Sequence, residues 1–226
     1  MIFQLINISF GLAAAWIIAI LLALTVHEFS HALMGKLRGD KTAEHAGRLT
    51  LNPIAHLDMW GLLALMFIGF GWAKPVPYNP YNLKDPKWDS VRVALAGPGS
   101  NLVMATVAAV ILRFIMAAGI GVTNLLFVLL FFIVLINLFL MFFNIVPIHP
   151  LDGSKLFFAL FDKPQHAELR KFVAIRGPQI LMVMVVIAIL TNLNIFFFVS
   201  APAFAICDAM VGENCQAVFA SVFMFR

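Results

Sequence analysis

The chain has 226 residues, of which 62% are hydrophobic and only 12% charged, with a mean hydropathy of +0.98. Soluble domains carry about 25% charged residues, so a largely water-facing surface is excluded and the solvent must be mostly lipid. The net charge of +4 does not signal nucleic-acid binding, because the Lys and Arg sit in loops between apolar runs, the pattern of a membrane chain.

The first apolar stretch runs from about Ile6 to Leu33 and contains Val26-His27-Glu28-Phe29-Ser30-His31. No basic segment with a cleavage site precedes it, so a removable signal peptide is not expected. A basic loop, 34–56, follows. Within it Leu49 and Leu51 alternate with Arg48 and Thr50, the period of a strand, and Asn52-Pro53 ends the run. As a strand it would present Leu49 and Leu51 to an unwound substrate by edge addition; a surface turn is the other reading. The second apolar stretch, about Leu57 to Trp72, has 16 residues, short of the roughly 20 that a spanning helix needs.

The third and fourth stretches run from about Val91 to Ala118 and from about Asn124 to Val146. A fifth runs from about Pro178 to Val199, and a last one, Ala201 to Phe225, is interrupted by Asp208 and by Gly212-Glu213-Asn214. The halves of that last segment are each too short to cross, which predicts a helical hairpin. Cys207 and Cys215 bracket its polar turn, and the spacing is compatible with a disulfide or with two buried thiols.

Loops 34–56, 73–92 and 147–177 are basic, while the turn at 119–123 and the N-terminus carry no Lys or Arg. If the second stretch crossed, the first two basic loops would face opposite sides. If it is re-entrant, all three face the cytoplasm and the N-terminus lies outside. The expected fold is an all-α polytopic membrane protein. Its core helix bundle would carry a short re-entrant or β-like segment after the His-Glu helix. It would form a single domain over 1–226, with the core at about 7–160 and a C-terminal helix and hairpin at about 178–226.

His27 and His31 are four residues apart, which places both imidazoles on one face of a helix, able to grip one metal ion. Glu28 stands one residue along, where it flanks the metal and can move a proton between water and a leaving amine. Two histidines and a glutamate on an apolar membrane helix point to function, since intramembrane ionisable groups are costly. Catalytic zinc takes three protein ligands. The third candidate is Asp152, in Asn144-Ile145-Val146-Pro147-Ile148-His149-Pro150-Leu151-Asp152-Gly153. Pro147 and Pro150 break the helix there, and irregular backbone at membrane depth is tolerated where it lines a cavity. The other reading of Asp152 is an N-cap. His45, His56 and His166 lie in loops and are expected to be solvated or hydrogen-bonded. His149, three residues before Asp152, is more readily a loop residue beside the site than a fourth ligand.

His27-Glu28-Phe29-Ser30-His31 together with Asn144 to Gly153 resembles the HExxH and NxxPxxxxDG motifs of the site-2 protease family of intramembrane metalloproteases. Gly47 to Pro53, Gly69 to Pro77 and Ala96-Gly97-Pro98-Gly99-Ser100-Asn101 are similar to its minimal bacterial and archaeal branch. The resemblance covers roughly residues 10 to 160. It implies that His27, His31 and Asp152 hold one zinc per chain, that Glu28 is the general base and acid, and that Asn144 positions substrate or steadies the oxyanion. It makes Asn101 a substrate-side residue. The implied partners are the lipid bilayer and a transmembrane protein or peptide substrate. The implied place is the cell membrane, multi-pass, with the active site toward the cytoplasmic half; oligomeric state is left open. The rival function is a membrane metal-ion transporter using the same cluster, against which stands the lack of an internal repeat.

Overall fold

The computed structural model describes residues 9–68, 71–191 and 193–224. The outer ends of the first and last apolar stretches, and Gly69-Phe70, lie outside the described residues. Among the described residues, four helices are long and apolar enough to cross a membrane: α1 (Phe10–Leu37), α3 (Pro86–Ala117), α4 (Leu125–Ile145) and α6 (Ala167–Leu190). Shorter helices include α2 (Met59–Ile68), α5 (Gly153–Leu160), α7 (Phe197–Val211) and α8 (Cys215–Met224).

The core forms where α1, α3 and α4 meet. Ala19 and Ala23 of α1 and Ala105 and Ala109 of α3 are all buried; small side chains let two membrane helices approach closely. The large side chains Phe131, Phe132 and Leu138 of α4 fill the space beside them. Asp85 caps α3, its carboxylate accepting from the backbone N–H groups of Lys87 and Trp88.

The second apolar stretch turns back on itself. Helix α2 has 10 residues and so reaches about 15 Å, half of a hydrocarbon core of about 30 Å. Its flanks meet again in an antiparallel bridge, Leu57 with Ala73, and Lys74 N–H donates to His56 O at 2.8 Å. Glycine permits the close return: a side chain on Gly61 would run into the Trp72 backbone, and one on Gly71 into Gly61. The adjoining loops are bonded to each other as well. Lys84 N–H donates to Arg38 O at 3.2 Å, and buried Asp40 accepts from Asn79 N at 2.6 Å and Asn82 Nδ2 at 2.9 Å. Loops 34–56 and 73–92 therefore share one end of the bundle. Both native cysteines are paired, so a single cysteine placed at exposed Lys41 or exposed Lys84 is the only free thiol. Each is expected to be labelled by an impermeant maleimide from the same side of a sealed vesicle; labelling from opposite sides would show that the α2 segment crosses.

Two expectations are corrected and a third is met. No strand forms at 47–51, and no strand is present among the described residues. Arg48 is buried and donates to the Lys74 carbonyl, while Thr50 O pairs with His56 Nε2 at 2.8 Å and Thr50 Oγ1 accepts from Asn52 N at 3.1 Å. These side-chain bonds fold the segment into bends, competing with extended pairing. The fifth stretch is displaced: α6 begins at Ala167, eleven residues before Pro178, and ends at Leu190 before α7 starts at Phe197. Pro178 lies inside α6 rather than at its start. Its neighbour Gly177 packs against the His149 backbone, where a Cβ would come within 2.7 Å of the carbonyl oxygen. Finally, the terminal hairpin is present as α7 and α8, with Gly212 at φ +84° in the turn, and its two cysteines are joined, Cys207 to Cys215.

Candidate metal centre

The site is built from α1, α3 and the loop between α4 and α5. His27 and His31, one turn apart on α1, are 5% and 9% exposed. Their Nε2 atoms approach to 2.9 Å, and Asp152 Oδ2 lies 3.3 Å from each. Asp152 stands at the N-cap of α5 but makes no capping bond with its side chain, which leaves the carboxylate to the histidines. Gly153 allows this: a Cβ there would collide with the Ile145 and Val146 carbonyls, against which the loop folds back.

The other face of each imidazole is held by α3. His31 Nδ1 lies 2.7 Å from the Val93 carbonyl and His27 Nδ1 lies 2.6 Å from Asn101 Oδ1. Val93, Gly97 and Asn101 are spaced by four, so they share one face of α3. The middle position must be small. A Cβ on Gly97 would sit 2.6 Å from His27 Cε1 and closer still to His31 Nε2.

These contacts decide what the centre can bind. A backbone carbonyl only accepts, so His31 Nδ1 carries the ring proton and Nε2 presents a lone pair. Asp152 Oδ2 is buried and no hydrogen bond reaches it. Electron-rich atoms thus converge, all within 4.8 Å of one another, in a place where buried lone pairs without a partner are costly. A cation resolves this, and two imidazoles with one carboxylate suit zinc. The residues fit the metal that the sequence implies.

Glu28 is 8% exposed, and its Oε2 accepts from Val76 N–H at 3.2 Å, so the chain returning from α2 reaches the carboxylate. Glu28, the two histidines and Asp152 line one cavity of about 900 Å³. The remaining wall is mostly apolar, with Ile20 of α1, Leu65 of α2, Phe139 and Phe143 of α4, and Leu181 of α6.

The other expected residues are placed differently. Asn144 borders the cavity, its Nδ2 donating to Leu140 O at 3.0 Å. Asn101 is 0% exposed and does not face the cavity; its amide is spent on His27, Asn137 and Ala23. Fully buried and away from the cavity wall, it stands behind His27 rather than on the expected substrate side. Leu49 and Leu51 do not line this cavity, and Leu51 is 60% exposed; the strand through which they would act is absent. His149 packs its ring on Phe158 and is not among the clustered donor groups. His56 is buried and bonded to Thr50 O. Sequence reasoning missed Val93, Gly97, Val76 and Asn137. The Val93 carbonyl and Val76 N–H leave no sequence trace, whereas Asn137 is one of two polar residues in the 21 of α4, a signal on a membrane helix.

A family model described as Peptidase family M50 matches residues 15–121 and 114–190. Over 144 residues, 62% of this chain and 66% of the relative, the chain is 40% identical to "Putative zinc metalloprotease YwhC" of Bacillus subtilis (strain 168). Over 90 residues, 38% of this chain and 34% of the relative, it is 34% identical to "Putative zinc metalloprotease Rip2" of Mycolicibacterium smegmatis (strain ATCC 700084 / mc(2)155). The chain thus spans just under two thirds of the first relative and about a third of the second. No solved structure matches it.

Proposed function

The chain belongs to peptidase family M50, the site-2 protease family, and on that premise we propose that it is a zinc-dependent endopeptidase that hydrolyses peptide bonds of membrane-spanning proteins within the bilayer. The observation that carries this reading is the convergence of His27, His31 and Asp152 beside Glu28, on the wall of an apolar cavity among membrane helices. His27, His31 and Asp152 would hold one zinc, which when bound supplies Lewis acidity and makes water a stronger acid. Glu28 then takes the proton of the attacking water and passes it to the leaving amine. Its bond from Val76 N–H steadies the carboxylate without occupying its other oxygen. Asn144, at the cavity edge, would release Leu140 O and turn its amide to the developing oxyanion, a role worth roughly 3 kcal/mol.

A helical substrate hides its carbonyls in its own hydrogen bonds, so a local stretch must unwind to enter. The site lies near the basic end of the bundle. His31 is six residues from the end of α1 at Leu37, about 9 Å along the axis, and the basic loop 34–56 begins there. The positive-inside rule makes that end cytoplasmic.

A transport reading needs several sites along a path, whereas the described residues hold one such cluster. Purified protein in zinc-loaded proteoliposomes with a single-span model substrate is expected to release two fragments and to pass no zinc across the bilayer. Zinc flux without fragments would overturn the protease reading.

A further inference from the structure

We propose that Asn137 is a positioning residue of the metal centre: through Asn101 it fixes which nitrogen of His27 faces the metal. The inference rests on the zinc reading above and deepens it.

His31 needs no such device, because a backbone carbonyl holds its Nδ1. His27 does. Its Nδ1 faces a side-chain amide, and an amide can present either its oxygen or its NH2 group. With NH2 toward His27, Nδ1 would have to accept, the ring proton would sit on Nε2, and the coordinating lone pair would be lost.

The choice is made at the far end of a chain of bonds. The Ile133 carbonyl only accepts, so Asn137 must turn its NH2 group toward it, at 2.8 Å. Asn137 Oδ1 then faces Asn101, which must answer with its own NH2 group, at 2.7 Å. Asn101 Oδ1 is left for His27 at 2.6 Å. His27 Nδ1 therefore carries the proton and Nε2 is bare. The Ala23 carbonyl asks the same of Asn101, but at 3.4 Å its bond is weak beside one of 2.7 Å. Asn137 makes the main contribution.

The relay crosses three helices, from α4 through α3 to α1. It exists only when they are packed together, so assembly of the bundle and the coordinating form of His27 are one event. Both asparagines are 0% exposed, in a helix core where a polar side chain without a task would be costly. Interhelical asparagine bonds also hold membrane helices together, so the test must separate positioning from packing.

Full-length protein with 15N-labelled histidine is compared as purified and after zinc removal by a chelator. The expected wild-type result is His27 protonated at Nδ1 in both states. Asn137→Leu should move part of the zinc-free His27 population to Nε2–H and weaken zinc binding by about tenfold to a hundredfold, the usual cost of losing a partner behind a metal ligand. Asn137→Asp, whose neutral carboxyl offers the same donor and acceptor, should restore most of both. Leu138→Ala, a cavity at the adjacent fully buried position, should lower the melting temperature yet leave the His27 spectrum and zinc affinity unchanged. Wild-type zinc affinity and an unmoved His27 spectrum in folded Asn137→Leu would overturn the proposal. So would Nε2–H at His27 in zinc-free wild type, which needs no variant to fold. Wild type that shows Nδ1–H but binds no zinc would instead sink the metal reading and leave the relay standing.

Discussion

Glu28→Gln is expected to lower cleavage by a factor of about 10² to 10⁴, the range lost with one positioned general acid–base, while zinc stays bound. The amide has the same shape, and its oxygen can still accept the Val76 N–H bond, so the chain returning from α2 keeps its place. What is lost is the capacity to take up a proton. Neither His27 nor His31 depends on Glu28 for its own hydrogen bonds, which go to Asn101 and Val93. Single-turnover cleavage of a model membrane substrate, read beside the zinc content of the same sample, checks both halves. Near-normal turnover would show that the proton moves elsewhere.

Gly97→Ala is expected to cost about a hundredfold in cleavage, the scale of a 1 Å misplacement at a reacting centre, together with most of the bound zinc. The added carbon would meet both imidazoles. The rings cannot swing aside, because Val93 and Asn101 on the same helix hold their Nδ1 atoms. Either α3 retreats from α1 or the rings leave their bonds, and each outcome separates the ligands. Gly99→Ala is the internal control. Nothing lies within 4 Å of a Cβ there, so it should leave zinc and cleavage intact and favour the helix by up to about 1 kcal/mol. Equal effects at the two positions would mean that helix flexibility, not the hollow facing the histidines, is the function of Gly97.

The parts of this architecture that follow from period and length were legible in the sequence. The spacing of His27 and His31 fixes a shared helical face, and the shortness of 57–72 with basic loops on both sides indicates a segment that turns back. Tertiary partners were less legible. At 47–51 the alternation suggested a strand, but the buried Arg48 side chain and the Thr50 bonds dictate bends. The apolar stretch from about Pro178 understated the fifth helix, because α6 begins upstream at Ala167, and its first turns carry Glu168, Arg170 and Lys171, of which Glu168 and Lys171 are exposed. Asn101 could face a substrate or an imidazole, and only packing against α1 and α4 decides. Asn137 was visible as a polar residue in an apolar run, yet its partner lies 36 positions away, beyond any local pattern.

The assignment of His27, His31 and Asp152 as ligands is tested most directly by zinc content, measured by mass spectrometry on purified full-length protein. Wild type is expected to carry one zinc per chain, Asp152→Ala a small fraction of that, and the His27→Ala, His31→Ala double variant none, because too few ligands remain to hold the ion. Full zinc occupancy in a folded double variant would contradict the account.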